Sequence, residues 1–456
     1  MNYTKKVGIV NIEAVGGYSY QSFHNQWNWA SAKGFSDSDF GNMESQLRDS
    51  YDAAYNATKG AFPIVNNFGF TPSIDNSGNP GGFVSGIENG ATAQMNLTKP
   101  TGTSVLAMAG NYYDQTDFLQ SYFGRGNFTI ADKYLVTATV RVDGSSKFGP
   151  NNKYGVFPSG AVAWKIHDED FAPDVFSTLK LRVGYGIVGN QDGLGYGEFT
   201  RRTRHGDTSI GDNREIFKTG AVVTGFSNPD LKWEQTSTAG AGIDFGIFGD
   251  KLTGTVDLYL KRTTDLLLKG NSAQPAQSPT YFQNLDATVE NKGWELSLSY
   301  AAIDKDDATF TISGNISHNK NMLSGFTGAL DAGTIYGQGL SGAYAQRLAG
   351  GYPLFSYHLR EFQGFDTNGQ PIGDNQVFIG KSALPTWNMG LSLNATYKAF
   401  DFNTYFTGQF GQYVYNNTAN AFFIAGSINN ARNVTKNVLT SGEAGTAEAA
   451  VSTRFL

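Results

Sequence analysis

The chain has 456 residues, with 33 Phe, 23 Tyr, 6 Trp, 56 Gly, no Cys, 16% charged residues and a net charge of −6. Lack of Cys removes disulfide scaffolds, thiolate metal sites and thiol catalysis, and the acidic balance gives no basic footprint for nucleic acid. No run of about 18 apolar residues exists to form a membrane-spanning helix, and the aromatic content excludes a disordered chain. No apolar h-region follows Met1, so no signal peptide is expected at this start. The composition does not change along the chain, so residues 1–456 read as one large domain.

Taken in chain order, eleven segments alternate apolar and polar residues: roughly 5–20, 118–130, 133–145, 154–166, 178–188, 231–247, 251–267, 287–301, 308–323, 386–398 and 400–413. In 251–267, for example, Leu252, Val256, Leu258 and Leu260 alternate with Thr253, Thr255, Asp257, Tyr259 and Lys261. Side chains on a strand point alternately to opposite faces, so each segment predicts a strand with one apolar and one polar face. Each has at least the roughly 9–11 residues that a tilted strand needs to cross a bilayer. A short helix is expected within 47–59, and Asn368-Gly369 reads as a hairpin turn.

The connections between segments alternate in length. Short turns hold Ala131-Asp132, Gly249-Asp250, Asp304 to Asp307 and Ala399, with 167–177 the longest of this set. Long connections occupy 21–117, 146–153, 189–230, 268–286, 324–385 and 414–449. Short turns at one end and long loops at the other predict an all-β transmembrane antiparallel barrel wall. Aromatics on the apolar parity flank both ends. Near the short turns stand Tyr134, Trp164, Phe245, Tyr300, Phe310, Tyr397 and Phe402. Toward the long loops stand Trp233, Trp294, Trp387 and Phe410. Both sets are expected to lie at the headgroup level, as membrane-interface girdles.

No reaction chemistry emerges. The five histidines do not pair at metal-binding spacing, so no metal site is expected. Asp366-Thr-Asn-Gly369 starts like a calcium loop but carries Pro371 where Gly is required. Gly339-Leu-Ser-Gly-Ala343 fails the last position of a nucleophile elbow, and Gly193-Leu-Gly-Tyr-Gly197 lacks the helix of a phosphate loop. No cofactor or catalytic residue is assigned. Arg141, Asp257, Glu295 and Asn394 fall on the polar face and read as water-facing wall residues. The long loops carry aromatic candidates for ligand contact: Trp27, Trp29, Tyr112, Tyr113, Tyr196, Tyr281, Tyr336, Tyr344 and Tyr352. Aromatic faces bind sugars and peptides with large area and few frozen rotors.

A block of motifs runs from Ser121-Tyr-Phe-Gly-Arg125 through Asp132-Lys-Tyr-Leu-Val-Thr-Ala-Thr-Val-Arg141, Asp143-Gly-Ser-Ser-Lys-Phe-Gly-Pro-Asn-Asn152 and Gly155-Val-Phe-Pro-Ser159 to Gly189-Asn-Gln191. With Asn228-Pro-Asp-Leu-Lys-Trp-Glu-Gln-Thr236, Asn291-Lys-Gly-Trp-Glu-Leu296 and Gly408-Gln-Phe-Gly411, it resembles the SusC/RagA-type TonB-dependent transporters of the Gram-negative outer membrane. The resemblance implies import of oligosaccharides or peptides, a SusD-like surface lipoprotein as lid, and energy from TonB–ExbB–ExbD acting on a plug. It also implies that residues 1–456 are an internal fragment, about 11–14 strands of an expected 22, without plug, TonB box or closing strands. Such a fragment alone is not expected to transport. The alternatives are a passive porin or adhesin-type barrel, against which the motif block argues, and a barrel enzyme, for which no catalytic constellation can be placed.

Overall fold

The computed structural model describes residues 1–58, 65–74, 80–89, 92–96, 99–200, 202–205, 208–210, 216–218, 221–273, 280–337, 340–361, 363, 372 and 375–417. Twelve long strands follow one another in a single sheet. They are β1 (Asn2–Val7), β2 (Val10–Lys33), β3 (Ala107–Ile130), β4 (Tyr134–Ser145), β5 (Tyr154–Lys165), β6 (Phe176–Asn190), β7 (Glu234–Ile247), β8 (Leu252–Thr264), β9 (Thr288–Lys305), β10 (Ala308–Ser324), β11 (Trp387–Tyr397) and β12 (Phe400–Phe410). Each pairs antiparallel with its sequence neighbour. Among the described residues β1 and β12 do not pair with each other, so the sheet is open.

The period-two pattern therefore reads the wall, with two corrections. Segment 5–20 is not one strand: it folds back at Gly8-Ile9, giving β1 and β2 paired from Val7↔Val10 to Asn2↔Val15. Gly8 takes φ +59°, which a glycine adopts without the Cβ clash that other residues meet. The long connection 21–117 is also partly strand. The β2–β3 ladder runs unbroken from Val10↔Ile130 to Lys33↔Ala107. The chain reverses sharply at the short-turn end: Ala131 and Asp132 are left-handed (φ 50° and 57°), as are Phe248, Gly249 and Asp250. Positive φ at a tight turn matches the right-handed twist of the flanking strands.

At the long-loop end the chain builds extra structure. The strand Val65–Ile74 pairs with the upper part of β3. The helix α1 (Phe40–Thr58) starts earlier than the sequence predicts, because the Asp39 carboxylate accepts from the backbone N–H of Gly41 (3.0 Å) and Asn42 (3.2 Å). Tyr51 and Ala54 of α1 bury against Phe68, Phe70, Val105 and Met108. A Cβ at Gly110 would lie 3.2 Å from both the Phe68 and Tyr51 rings, so α1 packs on the side of β3 that Gly110 faces. A second core joins Phe148, Phe157, Leu194, Leu231 and Trp233. A four-stranded sheet (329–337, 340–349, 356–360, 376–382) stands between β10 and β11. Asn368-Gly369 lies outside the described residues.

Candidate functional site

The register places every apolar-parity residue of the sheet on one face. One row of directly opposed residues runs through all twelve strands: Lys5, Ile12, Phe128, Val136, Val162, Val183, Ala241, Leu258, Trp294, His318, Trp387 and Phe410. The large apolar side chains of this face are exposed: Val162 50%, Val183 53%, Leu258 58%. A continuous exposed apolar surface of this extent is not a water-facing one.

Aromatic residues bound this surface, and the bounds slope. On β4 and β5, Tyr134 and Trp164 pair at the short-turn end and stack at 6.1 Å. On β11 and β12 the same end is held by Tyr397, Phe400 and Phe402, yet the row of Tyr134 reaches β11 at Met389. The lower edge thus falls from Met389 to Tyr397 between β4 and β11. The upper edge does the same. On β2–β5 it is the row Tyr20, Gln120, Gly144 and Tyr154. On β9–β12 it is Trp294, His318, Trp387 and Phe410, whose row crosses β4 at Val136. A shift of about eight residues at 3.3 Å over about seven strands at 4.8 Å corresponds to a strand tilt of about 38°, within the range of membrane barrels. The belt spans Trp387 to Tyr397 on β11 and Tyr134 to Gly144 on β4. At that tilt its height is about 26 Å, close to the apolar band of outer-membrane barrels.

Most predicted ring residues occupy these edges. Tyr300 is exposed at the short-turn end of β9, and Phe310, paired with Ala395, lies in the row of Phe402. The Phe245 ring lies over Gly254, where a Cβ would meet it at 2.5 Å. Trp294 and Trp387 meet edge-on at 5.7 Å, and His318 packs on Trp387 at 4.5 Å. Trp233 is the correction. It precedes β7, is 5% exposed, and packs on Phe148 (4.6 Å) and Phe157 (5.6 Å), with its indole N–H donating to the Lys153 carbonyl. It belongs to the loop core, because strand parity ceases to govern direction once the strand ends. The sequence reading missed the upper edge on β2–β5: Tyr18 meets Tyr122 at 5.0 Å, Tyr20 meets Phe118 at 6.0 Å, and Gln120 bonds the Tyr154 hydroxyl. The alternation Tyr18-Ser-Tyr20 was the available signal.

Below Tyr134 and Trp164 the turn after β5 supplies Glu169. Its carboxylate accepts from Lys133 Nζ (2.8 Å), the Tyr134 hydroxyl (2.9 Å) and Trp164 Nε1 (3.1 Å). The Lys133 ammonium, then the two ring donors, hold the Glu169 carboxyl down at about 2. The same contact with Glu169 raises Lys133.

The opposite face is mostly polar across β6 to β11, while Phe123, Leu135 and Phe157 share it on β3 to β5. Arg182 Nε and Nη2 fork onto Asp244 (2.9 and 2.6 Å), Nη2 also reaches Asp257 (3.1 Å), and Lys180 approaches Asp244 at 3.4 Å. Gly242 separates the pair: a Cβ there would sit 2.2 Å from the Asp257 carboxylate. Glu295 pairs with Asp257 in the ladder. Arg141 bonds Asp143 (2.8 Å) and Ser121 (2.7 Å). Toward β12 the face turns to hydroxyls and amides, with Ser299–Ser313 (2.8 Å) and Asn394–Ser392 (3.1 Å).

The loop aromatics separate. Trp27 and Tyr113 face one another across β2 and β3, stacked at 5.3 Å, and Trp29 lies two residues further along the same face. Tyr112 points the other way, toward Tyr55 of α1 (5.0 Å). Tyr281 packs against Phe226 (6.0 Å), and Tyr352 stacks on Phe378 (4.0 Å). Tyr344 is exposed in the four-stranded sheet and Tyr196 is half-buried after β6. The side chain of Tyr336 lies outside the described residues. Among the described residues no group of three or more His, Asp or Glu is arranged to hold a metal ion.

An inclined antiparallel sheet with an aromatic-edged apolar belt on one face and polar ladders on the other is the wall of a transmembrane β-barrel. The model of the TonB dependent receptor-like β-barrel family matches residues 3–440, and the chain belongs to that family. It is 34% identical over 332 residues to the TonB-dependent receptor SusC of Bacteroides thetaiotaomicron, covering 66% of this chain and 32% of SusC. It is 29% identical over 451 residues to TonB-dependent receptor P3 of Formosa agariphila, covering 92% of this chain and 39% of that one. The structure of the RagAB peptide transporter superposes with a TM-score of 0.63 at 17% identity, over 96% of this chain and 47% of that chain. The SusC/RagA resemblance read from the motifs is borne out. The chain spans about a third to two-fifths of the length of these curated relatives. The family is one of outer-membrane receptors and transporters, not of enzymes.

Proposed function

We propose that this chain forms part of the wall of a TonB-dependent importer in the Gram-negative outer membrane. Its cargo is a nutrient too large for diffusion pores, an oligosaccharide or a peptide. The belt faces lipid, the polar face lines the lumen, the short turns face the periplasm and the long loops face outward. The sloping aromatic-edged belt carries this reading, because its inclination and height match a bilayer-spanning barrel. Unpaired backbone at β1 and β12 is costly in lipid, so a closed wall needs strands that pair with both edges. The wall works with a plug coupled to TonB–ExbB–ExbD and with a SusD-like lipoprotein over the long loops. The lumen residues Arg141, Asp257, Glu295 and Asn394 shape and solvate the passage and carry no bond chemistry.

The test is uptake of fluorescent oligosaccharides and peptides by the source bacterium, with the gene intact or deleted and with or without a protonophore. Deletion and protonophore should each abolish uptake of one cargo class. Uptake that persists under protonophore points to a passive pore, and uptake untouched by deletion removes the importer reading altogether.

A further inference from the structure

The β2–β3 ladder continues past the upper edge of the belt at Tyr20 and Gln120 as far as Lys33 and Ala107. This projection has two different faces. The face continuous with the belt is covered: Ala30, Ala32 and Tyr112 pack with α1 and the strand Val65–Ile74. Among the described residues the face continuous with the lumen is uncovered and aromatic. Phe23, Trp27 and Trp29 are 48%, 49% and 54% exposed, and Tyr113 stacks under Trp27 at 18° between ring planes.

From this we infer that Phe23, Trp27, Trp29 and Tyr113 form a stacking platform that binds a neutral oligosaccharide on its way to the lumen. The inference rests on the importer reading and names its cargo class. Charge decides between sugar and peptide. On this face, from Ser19 to Lys33 and across the paired positions of β3, the charged side chains among the described residues are Asp117, which is 6% exposed, and Lys33, at the far end beyond Ser31. Between Phe23 and Trp29, peptide termini and charged side chains would find no exposed counter-charge among the described residues. Pyranose rings present a flat apolar C–H surface edged by hydroxyls. The rings offer the matching flat faces, and exposed Gln21, Asn25 and Ser31 offer amides and a hydroxyl beside them. Residues at i and i+2 on a strand stand about 6.8 Å apart, so Trp27 and Trp29 present successive rings along one line.

The experiment measures equilibrium binding of linear neutral glucans, mannans and xylans, and of neutral and charged peptides, to the purified full-length protein in detergent. Trp27→Ala, Trp29→Ala and Trp27→Phe are compared, with heat-modifiable migration on gels as the folding control. The expected result is binding of one glycan class, weakened roughly tenfold by each alanine and largely kept by Trp27→Phe. Unchanged glycan affinity in folded Trp27→Ala and Trp29→Ala overturns the platform. So does peptide binding that these changes weaken, or loss of the lid lipoprotein from pull-downs with glycan affinity intact. Binding at equilibrium needs no energy source, so failure of protonophore-sensitive uptake would sink the importer while leaving this result readable. Deletion that abolishes peptide uptake alone would sink the platform and keep the importer.

Discussion

Tyr134 and Trp164 stand opposite each other on neighbouring strands and donate to one carboxylate, that of Glu169. Two rings at the lipid edge are thereby fixed from the water side by a group that the turn after β5 delivers.

That arrangement has a pH signature. Glu169 is held at about 2, below its ordinary 4.5. A depressed carboxylate stabilises the fold above its unfolded value and loses that contribution as pH falls through its folded value. The local structure should hold from neutrality to about pH 5 and loosen between about 4.5 and 2. Trp164 fluorescence across that window should lose its pH dependence in Glu169→Gln.

The six tryptophans divide by position. In single-Trp variants reconstituted with brominated lipid, Trp164, Trp294 and Trp387 should be quenched. Trp27, Trp29 and Trp233 should not. Quenching of Trp233 equal to that of Trp294 would contradict its burial in the loop core.

The two faces of β8 predict opposite tolerance. Val256→Arg places a charge in the belt and should cost about 2–4 kcal/mol in barrel folding, whereas Thr255→Arg, one residue away and facing the lumen, should cost at most about 1 kcal/mol. Urea titration of the protein folded into lipid vesicles gives both values.

The loop core predicts a backbone effect. A Cβ at Gly149 would fall 2.0 Å from the Pro229 carbonyl oxygen, and the Gly149 N–H donates to the Leu231 carbonyl. Backbone cannot yield as a side-chain tip can. Gly149→Ala should therefore cost about 1–3 kcal/mol locally. Faster proteolysis within 226–233, with belt quenching unaltered, is the expected readout.

What was legible in the sequence follows from period two. The faces of Leu252 to Lys261 could be assigned because both faces repeat over a full strand. The turn at Gly8-Ile9 was hidden, since a single glycine between Val7 and Val10 barely interrupts the apolar pattern. Trp233 shared the parity of the belt but stands one residue before Glu234, where pairing begins. Tyr112 and Tyr113 could be told apart only once β3 was known to reach Ala107, for neighbours on a strand face opposite ways. The slope of the belt lies in register, which depends on contacts between distant segments and leaves no mark on any one of them.

That slope has a mechanical meaning. The row that begins near the short-turn end at Val136 arrives at the long-loop end at Trp387. Inter-strand hydrogen bonds lie perpendicular to their strands, so none of these rows is parallel to the membrane. A tug along the pore axis is then resolved partly along every strand, and many bonds resist it together. Rows lying flat in the membrane plane would divide the same load differently. On the importer proposed above, an inclined lattice suits a wall that must hold its shape while a plug inside it is pulled.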